Sequence, residues 1–420
     1  MNEGPREEPG RQSARSGALL RHLGAGVIAG AADNDPTTVA TLAVVGATTI
    51  YGLAWLVVLL LPMLVAIQVI SARVGAVTRS DLETVVREQL GFRWALAAMV
   101  LVVGVNLITI GADLEAGAAA LELLTGLPWP WFVVPLTLGI GALLALGSYR
   151  QVARLLGYVL LIFLAYFAAA ALARPAWSEV VQHTVVPSLQ LTPDYVAAIL
   201  ALLGTTLTSY VYFWETIEMA EERPPLHLLR WVEWDAAGGM VFTVLVFWAI
   251  VVGTGATLGV AGQPVATAQD AAAALAPLAG VWAEALFAVG LLASAVLALP
   301  ILAATSGYVV CAAFDWRRGL DVPLGRCSWR FYAVMLGSLV LGAAMTHLGM
   351  EPIQLLFAAS ILGGLGTPVL LVLLLVLARS PRVMGTHRVS GLLAGVGWAT
   401  TAIVSVACVI YLAQQLLRPG

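Results

Sequence analysis

The chain has 420 residues, 60% of them hydrophobic and 11% charged, with a mean hydropathy of +0.92. That composition excludes a soluble globular domain and makes the lipid bilayer the first partner. A formal net charge of −3, with every basic residue an arginine, leaves no electrostatic footprint for nucleic acid. Cys311, Cys327 and Cys408 are too few and too scattered for a disulfide framework or a metal-thiolate centre, so they are read as small apolar fillers and no cofactor is expected.

Residues 1–18 form a polar tail, expected to be disordered and cytoplasmic, with no cleavable signal peptide after it. Apolar runs of about 20 residues are membrane spans. Eleven are predicted, near 22–48, 52–72, 94–124, 129–147, 152–172, 195–218, 237–258, 279–313, 329–347, 352–378 and 389–416, making one membrane domain over 19–418. The first span contains Ala31-Ala32-Asp33-Asn34-Asp35-Pro36-Thr37-Thr38. An ionised aspartate at bilayer depth costs about 2.5–3.5 kcal/mol on insertion scales, so Asp33 and Asp35 must face a cavity, a cation or a partner. Pro36 lacks an amide hydrogen and biases Asp35 away from helical geometry, which breaks the helix and frees carbonyls of the preceding turn. Carboxylates beside free carbonyls at mid-membrane depth make a cation site. Two close carboxylates repel, and one takes a proton unless a cation is present. Asp33 is therefore a second ligand, a proton-binding partner, or a polar flank of the break.

Asp113 lies deep in the third span, with Asn106 seven residues earlier on the same face; it serves a proton or water route or pairs with a neighbouring helix. The sixth span contains Gly204-Thr205-Thr206-Leu207-Thr208-Ser209-Tyr210, read either as a second break or as a small-residue packing face. Both candidate breaks lie about 18–21 Å from the point where their span meets the membrane surface. Five spans followed by five more in the opposite sense give an inverted repeat, about 22–172 and 195–378, with the first helix of each half broken and an extra helix at about 389–416. Glu215, Glu218, Glu221 and Glu222 read as a solvated rim, with Glu215 a candidate for the inner exit. Glu284, Gln354 and Ser360 are candidate cavity-lining groups. Trp55, Trp129, Trp131, Trp177 and Trp231 read as an aromatic belt. Nineteen arginines fall on one side of this topology, and only Arg174 and Arg418 on the other, which puts the N-terminus in the cytoplasm and the C-terminus outside.

Gly24-Ala25-Gly26, Asp35-Pro36, Gln68 with Ser71 to Thr78, Gly111-Ala112-Asp113-Leu114, Gly204 to Tyr210 with Phe213-Trp214, and Arg382 to Gly385 together resemble the Nramp (natural resistance-associated macrophage protein) family of divalent metal transporters, and more closely its divergent, Nramp-related branch. The resemblance spans nearly the whole chain. It implies an all-α polytopic membrane protein with a LeuT-type fold: two inverted five-helix repeats, broken first and sixth helices and an eleventh helix. It also implies that the divalent cation is cargo rather than cofactor, with protons as co-substrate. By the same resemblance Asp35 is a ligand, the family's asparagine ligand falls on Thr38, the ligating carbonyl on Thr205, and the soft methionine ligand on Thr208. Asp113 matches the aspartate of the proton route, whereas the glutamate three residues later falls on Ala116, with Glu115 one residue away.

Replacing a thioether by Thr208 leaves only oxygen donors, which moves the expected cargo toward magnesium, manganese or calcium. A LeuT-type transporter of an organic solute such as an amino acid is the alternative, although Asp33 and Asp35 would repel its carboxylate. An intramembrane aspartyl protease is the remote one, without the Gly-x-Gly-Asp context. Oligomeric state is left open.

Overall fold

The computed structural model describes residue 30 and residues 33–146, 166–168, 170–273, 280–320, 328–349 and 351–417. The N-terminal tail, the first half of the first span with Gly24 to Gly26 and Ala32, most of the fifth span, and Cys327 lie outside the described residues, as do Arg150, Arg154, Arg326 and Arg418.

The described chain is helical throughout, and its helices follow the predicted spans. They are α1 (Pro36–Thr49), α2 (Ala54–Thr78), α3 (Leu82–Leu90), α4 (Phe92–Thr125), α5 (Pro130–Leu146), α6 (Trp177–Val185), α7 (Pro193–Thr206), α8 (Ser209–Glu222), α9 (Leu229–Thr254), α10 (Ala268–Ala273), α11 (Ala283–Ala313), α12 (Trp329–Met345), α13 (Pro352–Arg379) and α14 (Gly391–Leu417). Proline marks four of the starts. Pro36, Pro130, Pro193 and Pro352 sit in the first turn, where the missing amide costs no hydrogen bond and the fixed φ suits a helix. The 34 residues of α4 and 31 of α11 exceed what a bilayer needs, as predicted. Four short helices were not foreseen, one of them the single turn Pro381–Met384 between α13 and α14. α3 joins the second and third spans, and α6 and α10 lie in what the sequence suggested were long connections.

With apolar side chains on every side in the bilayer, helices gain contact by bringing backbones close. Gly204 does this against α13, where an added Cβ would run into the Ser360 carbonyl and the Gly364 backbone. Gly46 does the same against Val251 and Thr254 of α9. The packing-face reading of Gly204 is thus correct for that residue, while the break lies just beyond it.

The ion pairs gather at one end. Arg73–Glu233 (2.6 Å), Arg318–Asp81 (2.7 Å) and Arg87–Asp315 (3.2 Å) all tie helix ends together on the arginine-rich side. Tyr308 joins them, donating its hydroxyl to Glu221 at 2.9 Å. A cavity of ≈ 290 Å³ opens at the arginine-rich end, lined by Arg79, Asp81, Glu221, Tyr308 and Arg318 among others.

Candidate cation-binding site

The first break leads through a turn at Asp33 and Asn34 into a doubly capped helix. Asp35 is the N-cap of α1 in extended geometry (φ −68°, ψ 167°); its Oδ1 accepts from the Thr38 amide at 2.7 Å and its Oδ2 from the Tyr210 hydroxyl at 2.9 Å. The next free amide of α1, on Thr37, donates to Asp113 Oδ1 at 3.2 Å, and the Thr37 hydroxyl donates to the same oxygen at 2.7 Å. Two carboxylates thus complement the positive end of the α1 dipole. Asn34 holds the stretch from both sides: its side-chain amide donates to the Gly30 carbonyl at 2.9 Å, and its own carbonyl accepts from the Ser294 hydroxyl of α11. Asp33 is fully buried, and neither carboxylate oxygen has a hydrogen-bond partner among the described residues.

The second break is made of backbone and hydroxyls. α7 ends at Thr206, Leu207 leaves the helical region (φ −99°, ψ 36°), and Thr208 is extended (φ −66°, ψ 139°) before α8 begins at Ser209. The Thr367 hydroxyl of α13 satisfies the freed Leu207 carbonyl at 3.2 Å. Thr205 stands opposite the first break. Its hydroxyl lies 2.9 Å from the Thr38 hydroxyl, which also approaches the Thr205 carbonyl at 3.4 Å. Thr208 is buried and makes no capping hydrogen bond through its side chain.

The structure therefore brings Asp35, Thr38, Thr205 and Asp113 into one neighbourhood, with Thr208 at the adjoining break. Asp35 is tied to α8 through the Tyr210 hydroxyl, and Asp113 to the start of α1 through Thr37. No basic side chain is a recorded partner of these acids among the described residues. Nor do three or more His, Cys, Asp or Glu side chains converge on one ion among those residues. The donor set is a few carboxylate oxygens with hydroxyls and carbonyls, which leaves room for water on a bound ion.

Two residues that touch the acids were missed in the sequence. Tyr210 was read only as the last residue of the second candidate break, and Thr37 was passed over as the neighbour of Thr38; the signal available for both was a polar group within one turn of a break. The acidic rim was misjudged. Glu215 and Glu218 are buried rather than solvated, and Glu215 Oε2 accepts from Gln68 Nε2 of α2 at 2.7 Å. The inward projection of these positions on α8 outweighs their closeness to the span end. Glu284 and Gln354 are exposed, whereas Ser360 is buried and shares a hydrogen bond with Thr41 at 2.7 Å, one turn below Thr38. Asn106 donates to Ser306 Oγ at 3.1 Å, so it bridges α4 to α11.

A net-negative, all-oxygen crevice where two helices break inside a bundle of apolar spans defines a secondary membrane transporter. The chain belongs to the natural resistance-associated macrophage protein-like (Nramp) family, whose family model matches residues 26–414. It is 30% identical to the divalent metal cation transporter MntH of Deinococcus radiodurans, over 98% of this chain and 97% of that protein. The Eremococcus coleocola manganese transporter superposes with a TM-score of 0.78 at 21% identity, covering 100% of this chain and 91% of the other. Mhp1, a nucleobase-cation-symport-1 family transporter, superposes with a TM-score of 0.62 at 14% identity over 94% and 93% of the two chains. The fold is the LeuT-type architecture expected from the sequence.

Proposed function

We propose that this transporter carries a hard divalent cation, magnesium or manganese, across the cell membrane through the crevice where the two breaks meet. Its relatives named MntH are divalent metal cation transporters. The observation that narrows the cargo is Thr208: at the second break a hydroxyl stands where the resembling family carries a thioether, and every other donor near Asp35 is also oxygen. Oxygen donors suit magnesium, calcium and manganese, and sparse protein ligation suits an ion that keeps part of its water shell. Asp35 is the charged ligand; Thr38, the Thr205 carbonyl and Thr208 are neutral ones; Asp33 is a second carboxylate for the ion, or for a proton when no ion is present.

Protons enter the proposal through the same acids. Three buried carboxylates with no recorded basic partner among the described residues cannot all be ionised in an empty site, so binding a cation displaces a proton. Asp113 carries that proton, and Glu215, held by Gln68, belongs to the inner end of the route. The arginine distribution orients the chain with its N-terminus in the cytoplasm and its C-terminus outside. The test is competition uptake into proteoliposomes with magnesium, manganese and calcium, with and without a pH gradient. Saturable manganese uptake that magnesium competes away supports the reading; manganese uptake that cadmium suppresses and magnesium leaves untouched overturns it.

A further inference from the structure

The cavity at the arginine-rich end shares no lining residue with the crevice. Its ≈ 290 Å³ lie between the C-terminal ends of α2 and α8 and the chain that leaves α11, and its lining residues include four arginines against two acids. Both acids are already engaged. Asp81 Oδ2 accepts from Arg318 at 2.7 Å while its Oδ1 caps α3 on the Thr84 amide at 2.9 Å, and Glu221 accepts from the Tyr308 hydroxyl at 2.9 Å. Arg79, Arg223 and Arg317 are exposed, and none of the three pairs with a carboxylate among the described residues. An excess of positive charge repels the cargo, so this is not another cation site. Arg79 and Arg223 close α2 and α8 in the left-handed conformation (φ 54° and 49°), which glycine or asparagine normally takes. Arginine accepts a backbone strain there that glycine would avoid, so ending the helices is not what calls for it. Trp316 also lines the cavity; it stacks on Phe314 at 5.2 Å, and Phe314 meets Phe92 at 5.9 Å. Phe92 and Phe314 are exposed at span ends, where aromatic rings mark the headgroup level of a bilayer.

We propose that this cavity binds the phosphate group of an anion, held by Arg79, Arg223 and Arg317 at the ends of three spans. Guanidinium groups suit phosphate because each presents paired N–H donors to its oxygens. The volume falls just below the range of about 300–1,000 Å³ that suits drug-sized ligands, so the occupant is a free phosphate or a single lipid headgroup. Basic pockets between spans on the cytoplasmic side take anionic headgroups, and the aromatic cluster sets this cavity at their depth. The word cytoplasmic rests on the orientation proposed above. A ligand that touches the ends of α2, α8 and α11 ties them together, so its binding stabilises the folded protein.

Thermal unfolding of the full-length protein in a neutral detergent tests the proposal, with phosphatidylglycerol, phosphatidylcholine or inorganic phosphate added at constant ionic strength. In the parent, phosphatidylglycerol is expected to raise the unfolding midpoint and phosphatidylcholine to leave it unchanged. An equal rise with inorganic phosphate at the same concentration makes free phosphate the source, and a rise with the lipid alone makes it the headgroup. Arg79→Gly combined with Arg223→Gly suits both helix ends, so the double variant unfolds no earlier than the parent when nothing is added. It is nevertheless expected to need about tenfold more of the anion for the same rise. Arg382→Gln, which removes an exposed arginine from the same side but not from the cavity, keeps the parental response. Arg317→Gln, on the exposed chain after α11, gives the same reading as the double variant should that one fail to fold. No rise in the parent, a rise that the cavity variants retain in full, or an equal loss in Arg382→Gln overturns the site. None of these readouts depends on the cation carried, so their failure leaves the central site standing.

Discussion

The two breaks solve the same problem with different chemistry. The first presents the N-terminal, positive end of α1, which by itself repels a cation, and overcomes it with side-chain charge: Asp35 on the Thr38 amide and Asp113 on the Thr37 amide. The second presents the C-terminal, negative end of α7, whose carbonyls attract a cation without any charged side chain. In the proposed function, charge at the crevice comes from the acids at the first break, and selectivity among cations from the second. Substitutions at the first are expected to change how much cation binds, and substitutions at the second to change which cation binds.

The largest effect is expected from Asp35→Ala. Asp35, the proposed charged ligand, hydrogen-bonds to Thr38 and to Tyr210, and its loss is expected to abolish transport and the tight phase of manganese binding. The loss of the helix cap costs about 1 kcal/mol. Relief of a buried carboxylate offsets it, so the protein still inserts and folds, as size-exclusion chromatography in detergent will show. Transport at the parental rate in the variant would place the site elsewhere.

Tyr210→Phe comes next, because Tyr210 is the one side chain of the second break that touches the acid of the first. A hydrogen bond to a charged group contributes about 1.5–3 kcal/mol. Removing it also favours the protonated form of Asp35, so manganese affinity is expected to drop about tenfold or more, and further at pH 6 than at pH 8. Equal affinity in parent and variant would mean that the first break acts alone.

Thr208→Met sharpens the comparison by changing the second break only. It is expected to raise the cadmium to magnesium affinity ratio about tenfold, equivalent to about 1.4 kcal/mol, because a thioether gains a soft ion one ligand and displaces water from a hard one. An unchanged ratio in competition binding would mean that Thr208 does not face the ion. Asp113→Asn keeps an oxygen acceptor for Thr37, so the α1 terminus is preserved. It is expected to flatten the pH dependence of uptake more than it weakens binding. Equal losses in both would make Asp113 a ligand.

The smallest effect lies far from both breaks. Burial, with Asp81 adding to it and Arg318 partly offsetting it, pushes the Glu83 carboxyl of α3 up to about 9 from an ordinary 4.5. The folded chain therefore holds a proton there that the unfolded chain releases, and stability falls as pH rises from about 4.5 toward about 9. Glu83→Gln is expected to remove that slope, so that the variant gains on the parent as pH rises toward 8, read from thermal unfolding across pH.

The broken first helix was legible because Asp35-Pro36 inside an apolar run has few physical readings, and the spans were legible because bilayer thickness fixes their length. The second break was located only to within a few residues. Hydroxyls and glycine serve packing and interruption equally, and here they do both, Gly204 packing while Leu207 and Thr208 interrupt. What the sequence did not yield was pairing across the fold: Tyr210 with Asp35, Thr37 with Asp113, Gln68 with Glu215. Those partners lie 175, 76 and 147 residues apart, and no local periodicity connects them. The burial of Glu215 and Glu218 was misread for the same reason, because distance from a span end says nothing about which face a helix turns inward.

The central claim is that one hard ion binds at Asp35 between the breaks, and titration calorimetry with magnesium, manganese and cadmium on the parent and Asp35→Ala tests it most directly. The account predicts a tight phase in the parent for magnesium and manganese, weaker binding of cadmium, and loss of the tight phase for all three in the variant. A parent that prefers cadmium, or a variant that retains the tight phase, would contradict it.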